Sequence, residues 1–178
     1  MLNDIERVLI SEEELDSIVS KLADQINHDY VGKKLLLVGL LKGCIQFMSD
    51  LSRKITLPCE FDFMVASSYG SSTETSGVVK VTKDLSIDIA GYDVLIVEDV
   101  VDSGVTLNYI INMIKDRNPA SLKLCTLLDK PIRRKKEVHI DYKGYVLPDE
   151  FVVGYGMDYA EKYRNLPFIG VLKREIFS

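Results

Sequence analysis

The chain has 178 residues, 47% of them hydrophobic and 28% charged; it is long enough for one domain with a proper core and too apolar for a disordered chain. A formal charge of -5 and a pI of about 5.1 provide no global basic field for nucleic acid or an acidic membrane. The longest apolar stretch, "LLLVGLL" at 35–41, is too short to span a bilayer, and "MLNDIERVLISEEE" lacks the basic-then-apolar order of a secretion signal.

In chain order, Ser11 followed by Glu14 is a capping-box pattern, and Leu15, Ile18, Val19, Leu22 and Ile26 continue it at helical spacing. "KLLLVGLL" reads as a buried strand. A helix beginning at Gly43 follows, with Phe47, Met48, Leu51 and Ile55 on one face. Cys44, Cys59 and Cys125 are widely spaced and form no CxxC, so buried free thiols in a cytoplasmic protein are expected rather than a disulfide framework or a zinc site. "CEFDFMVASSY" alternates as a strand does, with Phe61, Phe63 and Val65 on one side. The small polar run "GSSTETSG" is a loop between strands, and "VVKVTKDL" resumes strand character. "DVLIVEDV" is the next strand, 104–117 a helix, "SLKLCTLLDK" a strand, and "EFVVGYG" a short one after Pro148. The basic run "RRKK" at 133–136 reads as a solvated loop, and His28 and His139 are isolated.

Strands alternating with helices predict an α/β fold: a mostly parallel sheet covered on both faces, in one domain over 1–178 without repeats or linkers. Ligands of such sheets bind outside the carboxyl ends of the strands. "VLIVEDVVDSGVT" lies at such an end and sets Glu98, Asp99 and Asp102 beside a small-residue turn. Ser103 and Thr106 bring hydroxyls, Gly104 allows close backbone approach, and free N–H groups at the helix start favour an anion. This is neither a GxxxxGK[ST] loop nor a GxGxxG turn. Carboxylates upstream would repel a bare polyphosphate, but they suit sugar hydroxyls or a hydrated magnesium. A sugar phosphate meets both demands.

The same stretch resembles the signature of the phosphoribosyltransferases, which bind phosphoribosyl pyrophosphate. "LVGLLKG", "SSYGSS", "LLDK" and "DEFVVGYGMDYAEKYRNLP" extend the resemblance over nearly the whole chain, toward the branch that uses 6-oxopurines. The resemblance implies the type I fold of that family, a twisted sheet flanked by helices with a small hood over the base site. It implies transfer of the phosphoribosyl group to hypoxanthine or guanine with release of pyrophosphate, dependent on magnesium, in an assembly of two or four identical subunits. Glu98 and Asp99 would meet the ribose hydroxyls, directly or through magnesium, and Asp102 would take the proton from purine N7. Ser103, Gly104, Val105 and Thr106 would hold the 5′-phosphate. Lys42, Gly43 and Arg164 would meet pyrophosphate; the family has a non-proline cis peptide before this lysine, which makes Leu41–Lys42 a candidate.

Lys130 would donate to O6, Phe151 would stack on the base, and Val152 would offer its backbone to the base edge. Asp158 would complete this site and hold a second magnesium. Ser68 and Tyr69 begin the mobile loop that closes over the site in the family. Rival readings are an RNA-binding regulator on the same fold, which the low pI disfavours, a catalytically silent sugar-phosphate sensor, and a transferase for another base. The first would bring nucleic acid as a partner; the resemblance implies only small-molecule substrates.

Overall fold

The computed structural model describes residues 1–68 and 79–178. It opens with a strand that the periodicity did not announce, β1 (Ile5–Ile10), largely exposed along its length. Helix α1 (Glu12–Asp29) begins with the expected capping box: the Glu14 amide donates to Ser11 Oγ at 3.2 Å, and the Ser11 amide donates to the Glu14 carboxylate at 2.8 Å. The chain continues through β2 (Leu35–Leu40), α2 (Ile45–Lys54), β3 (Cys59–Ser68), β4 (Val79–Lys83) and β5 (Asp93–Val101). It then forms α3 (Val105–Lys115), β6 (Ser121–Asp129), β7 (Tyr142–Val146), β8 (Val152–Val153), β9 (Ile169–Leu172) and a final turn of helix, α4 (Arg174–Phe177).

The main sheet is six-stranded, in the order β4-β3-β2-β5-β6-β7. All its pairings are parallel except that of the edge strand β4. Both faces are covered, which explains why β2 reads as an unbroken apolar run. Leu35 and Leu37 pack with α1 and α2 on one face, whereas Leu36, Val38 and Leu40 pack with α3 on the other. A three-stranded antiparallel sheet, β1-β9-β8, forms the hood and joins the two ends of the chain.

On β3 Asp62 and Met64 are buried, while Phe61, on the side shared with Phe63 and Val65, is 53% exposed. An aspartate tolerates that position because Lys83 Nζ (3.1 Å) and the Ser86 amide (2.6 Å) satisfy its carboxylate. Helix α2 begins at Ile45 and not at Gly43, and its Phe47, Met48 and Leu51 are spent on the core. Cys44 and Cys125 are buried free thiols, but Cys59 is only half-buried. Among the described residues no helix is long and apolar enough to cross a membrane. Parallel pairing brings the carboxyl ends of β2, β5 and β6 to one edge of the sheet, beside β8 of the hood.

Candidate active site

Strand β5 continues to Val101, so Glu98 and Asp99 stand within the strand and not in the turn after it. Neither residue is fully enclosed, but their carboxyls are largely cut off from water. Burial, reinforced by the neighbouring Asp99 charge, pushes the Glu98 carboxyl well above the ordinary range. Glu98 Oε2 is buried and has no hydrogen-bond partner among the described residues. Burial likewise raises Asp99 to about 6, against the lowering effect of backbone N–H groups and Arg164. Gly43 lies directly on this carboxylate, since a Cβ there would come within 2.0 Å of Asp99 Oδ2. The acidic pair is thus held charged only at a cost, as a site awaiting a cation would be.

Asp99, Asp102, Lys130, Phe151, Val152 and Asp158 line one cavity of about 270 Å³ outside the ends of β5 and β6. Glu98 is not part of its wall. Lys130 is 7% exposed, and its ammonium donates to the Glu150 carbonyl at 2.7 Å and reaches Asp149 at 3.2 Å. These two acceptors fix its direction and leave donor capacity for a ligand. Phe151 stacks on Phe177 (centroids 4.6 Å apart) and meets the edge of Tyr159 at 5.6 Å. With 36% of its surface still exposed, it is a supported platform rather than a core residue.

Past the strand end, Gly104 takes φ +75 and precedes the first turn of α3. Only glycine adopts this conformation readily. The amides of the turn at 103–106 thereby stand at the amino end of a helix, where an anion is favoured. Across the site the Leu41–Lys42 peptide is cis, as the resemblance implied. Lys42 Nζ meets Glu161 at 2.8 Å. Arg164 is not a solvated surface residue: it pairs with Asp158 at 2.8 Å and with Glu161 at 3.4 Å, and donates to the Gly156 carbonyl at 2.8 Å. The two cations are therefore linked through Glu161, a partner that the sequence reading did not single out. Its one signal was a carboxylate three residues before Arg164.

The donor set fits magnesium of a particular kind. Among the described residues no three His, Cys, Asp or Glu side chains converge into a metal cage. Magnesium instead takes one or two carboxylates and completes its shell with water and substrate oxygens. Asp99, on the cavity wall with Asp158, has the electron-rich, desolvated carboxyl that such an ion would neutralise, and Glu98 Oε2 lacks a partner beside it. Ser68 is the last residue of β3; Tyr69 and the rest of the loop that was expected to close lie outside the described residues. "RRKK" is not simply solvated either. Arg133 lines the cavity and bonds Asp149 at 2.8 Å, and Arg134 turns inward.

Residues 11–160 match the phosphoribosyl transferase domain family. The chain is 50% identical over 178 residues to the hypoxanthine-guanine phosphoribosyltransferase of Bacillus subtilis, covering 100% of this chain and 99% of that protein. It is 53% identical to the bifunctional protein TilS/HprT of Listeria monocytogenes, and there it spans all of this chain but only 28% of the relative's length. Among solved structures, a hypoxanthine phosphoribosyltransferase from Staphylococcus aureus superposes with a TM-score of 0.97 at 49% identity, covering 100% of this chain and 97% of that one.

Proposed function

The chain belongs to the phosphoribosyl transferase family, and on that premise we propose that it is a hypoxanthine-guanine phosphoribosyltransferase of purine salvage. It transfers the phosphoribosyl group of phosphoribosyl pyrophosphate to hypoxanthine or guanine, giving IMP or GMP and pyrophosphate. The observation that carries this reading is the single cavity that gathers Asp99, Asp102, Lys130, Phe151, Val152 and Asp158 at the sheet edge. The RNA-binding alternative gains nothing from the comparisons.

In the reaction the bond from the anomeric carbon to pyrophosphate breaks, and a bond to purine N9 forms on the opposite face. Positive charge develops on the ribose as the leaving group departs. Asp102 takes the N7 proton and so enriches the attacking ring. Lys130, held toward the cavity by its Glu150 bond, donates to O6, while Phe151 stacks on the base and Val152 offers its backbone at the base edge. Ser103, Gly104, Val105 and Thr106 hold the 5′-phosphate. Lys42 and Arg164 exchange their carboxylate partners for the oxygens of pyrophosphate, with the Gly43 backbone alongside. Bound magnesium adds positive charge against the negative charge of the leaving group. Asp99 and Asp158 would hold it, and Glu98 and Asp99 would meet the ribose hydroxyls.

We also propose one domain over 1–178, since β1 and β9 pair across the ends of the chain. A cytoplasmic location and an assembly of two or four identical subunits follow the family. The apolar residues Phe47, Met48 and Leu51 of α2 are buried in the core and add no support for the assembly; light scattering decides it. The proposed activity is tested by steady-state kinetics with hypoxanthine, guanine, xanthine, adenine and uracil, with and without magnesium. Product from the first two bases, dependent on the metal, is expected. No nucleoside monophosphate from any 6-oxopurine would overturn the proposal.

A further inference from the structure

The second arginine of "RRKK" has an inward task. Arg134 Nε donates to the carbonyl of Asp102 at 2.9 Å, and Nη2 donates to that of Val101 at 3.3 Å. The same Nη2 pairs with Asp129, whose other oxygen is held by Lys143 at 2.6 Å. The Arg134 and Asp129 side chains are only 10% and 5% exposed, so this is a buried brace and not a surface ion pair. The next two residues continue it: the amides of Lys135 and Lys136 donate to the Ser103 carbonyl at 2.9 and 3.0 Å. Gly104 rests on the same segment, for a Cβ there would lie 2.3 Å from the Lys136 carbonyl oxygen.

These contacts hold the carbonyls of Val101, Asp102 and Ser103 from behind. In a planar trans peptide the carbonyl and the following N–H point in opposite directions. Tethering the Asp102 and Ser103 carbonyls to the 134–136 segment therefore turns the amides of Ser103 and Gly104 away from it. Among the described residues neither amide donates to another backbone or side-chain acceptor. Successive free amides aimed to one side form an anion-binding concavity. A guanidinium suits the rear of such a turn because its planar fork serves two carbonyls and a carboxylate at once, which a lysine ammonium at the end of a flexible stem would not reproduce.

We propose that Arg134, fixed by Asp129 and Lys143, is a positioning residue that aims the 102–106 turn at the 5′-phosphate and sets the backbone of Asp102. The inference rests on the reading of that turn as the phosphate site. It is tested with Arg134→Met and Arg134→Lys, using Thr106→Ala as a probe of the underlying reading. Calorimetry gives the affinity for IMP, which carries a 5′-phosphate, and for pyrophosphate alone; kinetics give KM for phosphoribosyl pyrophosphate, and thermal melting reports stability.

Arg134→Met is expected to weaken IMP and raise KM by about tenfold or more, the scale of a lost charged hydrogen bond, with pyrophosphate affinity changed less than about twofold. Arg134→Lys is expected to recover thermal stability but not IMP affinity, a split that a merely structural role would not produce. Unchanged IMP affinity in a folded variant overturns the proposal, as does an equal loss of IMP and pyrophosphate binding that tracks the melting temperature. Should Arg134→Met fail to fold, Arg134→Lys and Lys143→Met carry the same comparison. If Thr106→Ala leaves IMP binding intact, the reading of the turn fails; if it weakens IMP while the Arg134 variants do not, the brace alone fails.

Discussion

Asp99→Asn should stabilise the unliganded protein while disabling it. The wild-type carboxyl is raised from 3.8 to about 6, chiefly by burial. A carboxyl raised in the folded state favours folding fully below its unfolded pKa, and that advantage is lost as pH rises through 6. At pH 8 it is ionised in both states, and the difference amounts to about 3 kcal/mol at roughly 1.36 kcal/mol per pH unit. At pH 4 the same difference is only about 0.6 kcal/mol. Asparagine keeps the shape and an acceptor for the backbone amides, and it never ionises. For a chain of this size about 3 kcal/mol corresponds to a melting temperature higher by roughly 6–12 °C. The assay is scanning calorimetry of both proteins, without substrate or phosphate, from pH 4 to pH 8. The gap should widen as pH rises, while turnover at pH 8 falls by at least about tenfold. A variant no more stable than wild type at pH 8, or a gap independent of pH, would refute the argument that Asp99 is held charged against desolvation.

Asp102→Asn removes the proposed base and keeps the shape, so turnover with hypoxanthine should fall by about 10²–10⁴ with phosphoribosyl pyrophosphate binding little changed; a loss below about fivefold contradicts the role. Lys130→Met should lower kcat/KM for guanine and hypoxanthine by roughly 10²–10³ and narrow the gap to adenine. An ammonium aimed by Glu150 and Asp149 donates to O6 and repels a 6-amino donor, so an unchanged guanine-to-adenine ratio would show that it does not read position 6. Gly104→Ala meets φ +75 and a carbonyl oxygen 2.3 Å from the new Cβ, a steric conflict expected to cost about 1–3 kcal/mol of stability. Chemical denaturation checks it, and a change within about 0.5 kcal/mol would mean that the turn can shift away from Lys136.

Local chemistry was legible in the chain itself. The capping box at Ser11 and Glu14, the apolar runs of β2 and β5, and the small-residue turn at 102–106 each carry their cause within a few residues, because caps, strand pattern and helix starts are short-range effects. The order of the motifs was enough to expect the family and to name Asp99, Asp102, Lys130, Phe151, Val152 and Asp158 on the cavity wall, but not Arg133, Leu147 or Glu150. What the chain could not disclose depends on distant partners. Strands β1 and β9 are six and four residues long and pair with one another although they lie at opposite ends of the sequence. The alternation of β3 did not tell which side is buried, because it is Lys83 and Ser86, from the next segment, that satisfy the inward-facing carboxylate of Asp62. Arg134 looked like one charge in a solvated run until β6 and β7 placed Asp129 and Lys143 beside it. Charge and hydrogen-bond satisfaction in a buried site are settled by neighbours in space, so the residue types were written in sequence, and the tertiary fold alone determined which of them would be satisfied, desolvated or aimed.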